Sequence, residues 1–380
     1  MYNIFRRDVR VSFFVLLAFT LVGIASFSIY ALKPVPADRY GHEGGDGSYW
    51  LSMDLVETGQ HSPDFLANRF VTGSAFIFSV VTIEKVVGNR EVAWLLLNSL
   101  FYIGLCLCFY ALATRVLQDK RVAFLSTLLL ALNYATVVFG LSYGADASGW
   151  FFYVVALYCS FRYITSKQQA WLWAAAALIG VGGLFKEYAL CAYVVVAGSI
   201  CIVERGKWLR LAGLVAATGM IAIAPFLLAN LGTWLLFHYS YLNWWAYNQT
   251  RQSIYPDSRL DEYIKVLGSL YNVAWIFGLG GLIIFWRRRK EVRHNTTLQF
   301  IILVILSSMP VLVWPPFQRV FFITAPAFAI VAGLFFKRVT RYWLLLPIFV
   351  AYALFAYLLD AYIFKMVNIN PMLHFLLSGL

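Results

Sequence analysis

The sequence is dominated by apolar runs, at about 11–32, 92–113, 122–141, 147–165, 170–184, 188–203, 209–231, 267–286, 298–314, 319–336 and 342–363. A hydrocarbon core about 30 Å thick is crossed by about 20 apolar residues of helix. Inside that core every backbone N–H and C=O must be satisfied within the chain, so runs of this kind fold as helices. Composition agrees: 61% of residues are hydrophobic and 13% charged, against about 25% charged in a soluble domain. The expected architecture is an all-α polytopic membrane protein with about 11 transmembrane helices, a single membrane-embedded domain over 1–380, and no separate soluble domain. The first run is longer than a signal-peptide core and lacks a small-residue cleavage site, which predicts a retained anchor.

Segment 70–88 is apolar too, but Thr72, Ser74, Ser79 and Thr82 interrupt it and Glu84-Lys85 closes it. Its length fits a span, an interfacial helix or a re-entrant helix. Charge decides among them. With 70–88 lying on the surface, one side of the membrane receives Arg6, Arg7 and Arg10, the turns 115–121 and 162–167, segment 205–210, the RRRKEVR block 287–293, and Lys337, Arg338 and Arg341. Those blocks hold 19 of the 30 basic residues, while 14 of the 18 acids face the other side. A crossing 70–88 would invert every later loop, against the positive-inside rule. The expectation is therefore a surface-lying helix, a cytoplasmic amino terminus, and two large outer loops, 33–91 and 232–266. The compartment expected is a bacterial inner membrane, with the active site on the periplasmic face. The net charge of +12 follows from this loop bias and points to the lipid bilayer, not to nucleic acid.

Ionisable residues at the outer ends of spans are expensive and are functional candidates by default. The stretch 41–59, GHEGGDGSYWLSMDLVETG, sets Asp46 among glycines ahead of a short helical pattern. Asp46 suits an N-cap or a general base, with Glu43 and Asp54 as weaker alternatives nearby. Asp146 starts a span after an outer turn and reads equally as an N-cap or as a second working carboxylate. Lys186-Glu187 separates two unusually short runs, so their junction is expected in a polar cavity, an internal salt bridge being the plain alternative. Arg319 stands where a guanidinium can bind a phosphate or snorkel to headgroups, and Arg69 where it can bind a phosphate or brace Asp46 or Asp64. His238 and Tyr241, in the aromatic second loop, are divided between sugar or lipid binding and interfacial anchoring.

Cys106, Cys108, Cys159, Cys191 and Cys201 all lie in apolar runs and read as small core residues, with no disulfide framework. There is no HExxH, CxxC, P-loop, GxSxG, or GxGxxG after a strand. Metalloprotease, redox, nucleotide-binding and serine-hydrolase chemistries therefore lack their parts.

Five segments then resemble, in order, the motifs of the GT-C superfamily. They are GDGSYWLSMDLVETG (45–59), the lying helix 70–88 with Asn89-Arg90-Glu91, the basic turn RVLQDKR (115–121), GLFKEYAL (183–190), and RVFFITAPAFAIVAG (319–333). These are polytopic glycosyltransferases that use polyprenyl-phosphate-linked sugars, and the nearer branch is the protein-mannosyltransferase and aminoarabinose-transferase type. One departure is Arg69-Phe70-Val71-Thr72-Gly73, which replaces the usual Pro-rich approach to the surface helix.

The resemblance implies a GT-C-like fold and an inverting glycosyltransferase that moves a sugar from a polyprenyl-phosphate donor to a glycan, glycolipid or protein acceptor. It implies Asp46 as the single general base and a donor phosphate near Arg319, Lys186 and Arg69; Asp146 remains a catalytic candidate from its place at the outer end of a span. No cofactor is expected. Glu43, Asp46 and Asp146 offer oxygens that suit a divalent metal, but the nearer branch does not suggest one. A lipid-linked-sugar flippase or transporter, and a noncatalytic subunit of an envelope glycan assembly, are the alternatives. Acids placed in outer loops, and the lack of an inverted repeat, favour the enzyme.

Overall fold

The fold comes from a computed structural model that describes residues 46–59, 69–140, 144–250, 260–313 and 317–358. Helices α1 (Asp46–Thr58), α2 (Phe70–Val87), α3 (Arg90–Leu117), α4 (Lys120–Ala131), α5 (Tyr134–Phe139), α6 (Asp146–Ser166) and α7 (Gln169–Phe185) come first. A 3-10 turn (Glu187–Ala192) leads into α8 (Tyr193–Val203), followed by α9 (Trp208–Phe237), α10 (Tyr241–Thr250), α11 (Leu260–Tyr271) and α12 (Trp275–Arg287). Helices α13 (Thr296–Ser307), α14 (Gln318–Phe321), α15 (Ala325–Phe336) and α16 (Leu346–Leu358) complete the described chain, in which there is no strand.

Each predicted span from 92 onward falls largely on these helices or on the 3-10 turns beside them, while residues 141, 314 and 359–363 of those spans lie outside the described residues. The run 11–32 and Glu43 lie outside the described residues. Among the described residues, five helical stretches are by length and composition able to cross a membrane: Phe70–Val87, Arg90–Leu117, Trp208–Phe237, Leu260–Arg287 and Gln318–Phe336. The first of these is α2, which the charge pattern lays on the surface, so the helix has the length for either arrangement.

Local chemistry sets the helix ends. Asn89, Asp119 and Asn295 cap α3, α4 and α13 by accepting hydrogen bonds from backbone N–H groups of the first turn, which satisfies donors that a helix start leaves open. Asn133 does something the sequence did not announce. It splits the predicted span 122–141 by capping α5 through Ala135 N–H at 3.0 Å. Its amide also donates to the Leu270 carbonyl and the Tyr352 hydroxyl, at 2.8 and 3.0 Å.

The largest apolar core joins α3, α4, α6, α7, α8, α13 and α15. A second cluster, with Tyr49, Met53, Phe76, Ile77, Val80 and Trp94, fastens α1 and α2 onto α3. Arg90 closes that cluster at its polar rim. Its guanidinium pairs with Asp54 at 2.7 Å, with Glu84 at 2.9 Å, and with Glu57, and it lies over the Trp50 ring at 4.7 Å. Asp54 is therefore engaged in holding α1.

Candidate active site

The site is built around a break. Helix α7 stops at Phe185, Lys186 takes an extended backbone, and the 3-10 turn begins at Glu187. Lys186 and Glu187 are buried, at 5% and 7% exposure, and their charged groups are 3.5 Å apart. The internal salt bridge, the plain alternative read from the sequence, therefore occurs, at a buried junction. The Glu187 Oε2 atom makes no hydrogen bond among the described residues. Lys186 Nζ donates to the Tyr49 hydroxyl at 3.1 Å and lies over the Tyr49 and Tyr188 rings at 5.7 and 5.2 Å.

The start of α6 forms the opposite wall. Trp94 Nε1 and Asn98 Nδ2 both donate to the Gly144 carbonyl, at 2.9 and 2.7 Å, which fixes the backbone just ahead of Asp146. Asp146 is 2% exposed and is the first residue of α6. It makes no side-chain cap bond, that position falling to Ala145, and its Oδ1 has no hydrogen-bond partner among the described residues. The N-cap reading of Asp146 is thus not what the structure holds. One turn later Gly149 presses on the Lys186 side chain; a Cβ there would stand 2.7 Å from Lys186 Cβ. Trp150 Nε1 donates to the Arg319 carbonyl at 3.2 Å, and its ring lies 4.1 Å from that of Phe322. Asp146, Lys186 and Arg319 are in this way brought to one place from three distant segments.

Electrostatics gives the same grouping. The charges acting on Lys186 are those of Glu187, Tyr49, Arg69 and Asp146, while Tyr188 feels Asp146, Glu187, Arg319 and Tyr49. Arg69 lies 4.9 Å from the Trp244 ring and 6.0 Å from that of Tyr49; its Nε has no hydrogen-bond partner among the described residues. The Arg69 backbone N–H donates to Ser52 Oγ at 2.8 Å, which ties it to α1. Tyr241 is held by its own N–H on Asn230 Oδ1 at 2.8 Å. Burial and the Glu187 charge push its hydroxyl up, against the pull of Arg69, so it stays a proton donor.

One expected residue stands apart. His238 caps the end of α9 with a φ of 51° and is exposed, its ring 6.3 Å from Trp234. The neighbouring Tyr239 takes the buried place, close enough to Arg69 for the guanidinium to act against the upward push of burial on its hydroxyl. Asp46 begins α1, three residues ahead of Tyr49. Tyr49, Gly149, Trp150 and Tyr188 were not singled out from sequence. Only Tyr49 left a signal, as an aromatic one turn beyond Asp46.

Residues 74–229 match the family described as dolichyl-phosphate-mannose-protein mannosyltransferase. Among solved structures, the chain is similar to ArnT from Cupriavidus metallidurans bound to undecaprenyl phosphate, with 16% identity and a TM-score of 0.56 over 95% of this chain and 75% of that one. No curated protein matches the chain in sequence.

Proposed function

We propose that this chain is a member of the GT-C superfamily of membrane glycosyltransferases and transfers a sugar from a polyprenyl-phosphate donor to a hydroxyl-bearing acceptor, a reading supported by its family match and its fold. The observation that carries the reading is Lys186. It is a buried ammonium at a helix break, facing Glu187, Asp146, Arg69 and a tyrosine hydroxyl. A charge buried in a membrane bundle is costly and marks a site for a polar ligand.

In this reading the donor phosphate lies against Lys186, Arg69 and Arg319, whose charge stabilises the negative charge that develops as the sugar leaves. A phosphate is a good leaving group without protonation, so one base suffices. Asp46 takes the acceptor hydroxyl proton as that oxygen attacks the anomeric carbon, with inversion. Asp146 Oδ1 accepts a hydrogen bond from a substrate hydroxyl, and Glu187 keeps Lys186 charged and in place. The active face is the periplasmic side of a bacterial inner membrane, and the acceptor is a glycan, glycolipid or protein.

The test is single-turnover transfer by the full chain in vesicles supplied with polyprenyl-phosphate sugars and an acceptor extract. Asp46→Asn is expected to retain donor binding and to lose transfer by at least about a hundredfold, the usual contribution of a general base. Undiminished transfer by that variant would remove Asp46 from the role. Donor movement across the membrane without sugar transfer by the native chain would turn the assignment to a flippase.

A further inference from the structure

We propose that the groove between the basic ends of α12 and α15 binds an anionic glycerophospholipid, its phosphate on Arg287 and Arg338 and its acyl chain along the apolar strip beneath them. The groove is open and encloses about 470 Å³. Helix α12 lines it with Gly280, Ile283, Ile284 and Arg287, a spacing of three, four and seven that puts all four on one helix face. The other wall is Phe335, in the last turn of α15, and Arg338, in the turn that follows the helix. Both walls therefore pass from apolar to cationic in the same direction, as an acyl chain and its headgroup phosphate require.

The floor of the groove is fixed. A Cβ on Gly281 would stand 2.0 Å from the Val331 carbonyl oxygen, so the two backbones touch there. A Cβ on Gly280 would lie 2.5 Å from the Phe335 ring, and its absence lets that ring form the base. The flanks are lipid-facing: Ile276, Leu279, Leu282 and Ile283 are between 43% and 57% exposed.

The charges are available. Arg288, at the rim, is engaged with Glu291 at 2.6 Å, whereas Arg287 and Arg338 have no ion pair among the described residues. Arg287, Arg288 and Arg338 all line the groove, so its rim is cationic and suits a phosphate. Two guanidiniums lining one groove can share one phosphate by charge-assisted hydrogen bonds.

The test is lipid retention by the purified full chain, measured by native mass spectrometry after exposure to phosphatidylglycerol and phosphatidylcholine in equal amounts. The native chain is expected to prefer phosphatidylglycerol. The double variant R287A/R338A should lose roughly 30-fold of that preference, each basic side chain contributing a factor of about five. The variant R289A/K290A removes the same charge outside the groove and should keep it. An unchanged preference in R287A/R338A, or an equal loss in both variants, would overturn the site. Displacement of the lipid by millimolar inorganic phosphate would overturn the lipid as its ligand.

Discussion

Lys186 Nζ and the Tyr49 hydroxyl meet at 3.1 Å although 137 residues separate them. The contact pins α1, with Asp46 at its start, to the break after α7, so the proposed base and the phosphate-binding cation share one anchor. A hydrogen bond from a charged donor contributes about 1.5–3 kcal/mol. Tyr49→Phe is expected to lower the rate of sugar transfer roughly tenfold or more, with a lowered detergent stability but a chain that still folds. Lys186→Met should lower it further and weaken donor binding as well. A Tyr49→Phe enzyme of native rate would sink this coupling.

Gly149 leaves room for Lys186 and for nothing more, since a Cβ would sit 2.7 Å from Lys186 Cβ and 3.0 Å from its Cγ. Overpacking of this kind costs about 1–3 kcal/mol. Gly149→Ala should displace the ammonium, reducing transfer by about tenfold while the chain remains folded. Transfer kinetics beside a thermal-aggregation profile separate that outcome from simple unfolding, which would lower both.

Arg90 gathers Asp54, Glu57 and Glu84 around one guanidinium. Arg90→Ala leaves three carboxylates facing each other, and we expect α1 to loosen by about 2 kcal/mol. Amide exchange across α1 should then quicken by more than tenfold, with the amides of α6 unaffected. Arg90→Lys keeps the charge but not the planar fork, and should restore only part of the protection.

The disposition of α2 is open to labelling. In a Cys201→Ser background, which removes the exposed native thiol, Val86→Cys should react with an impermeant maleimide from outside the cell and Lys290→Cys should not. Both positions are exposed. Reaction of Lys290→Cys from outside, with Val86→Cys protected, would establish that α2 crosses the membrane.

Periodic apolar runs made the helical membrane fold legible, and the charged pair Lys186-Glu187 marked the break because nothing else interrupts 170–203 so abruptly. Asn133 was harder to read. It is a single amide in a long apolar run, and its partners Leu270 and Tyr352 are distant in sequence. The Arg90 cluster was hidden for the same reason, its acids coming from α1 and α2 on either side of a long connection. Gly149 and Trp150 looked like ordinary span residues. Their importance lies in what they touch, Lys186 and the Arg319 backbone, and sequence spacing does not encode contacts between helices.

The grouping of Lys186, Arg69 and Arg319 against Glu187 and Asp146 has a consequence for turnover. A sugar-bearing donor is a diester with one negative charge, whereas the lipid phosphate left behind is a monoester of charge about −1.5 to −2 at neutral pH. Under the proposed reaction the cations therefore grip the spent carrier more tightly than the loaded one. Departure of the carrier becomes the slow event: the first turnover appears as a burst, and added polyprenyl phosphate inhibits by competing with the donor.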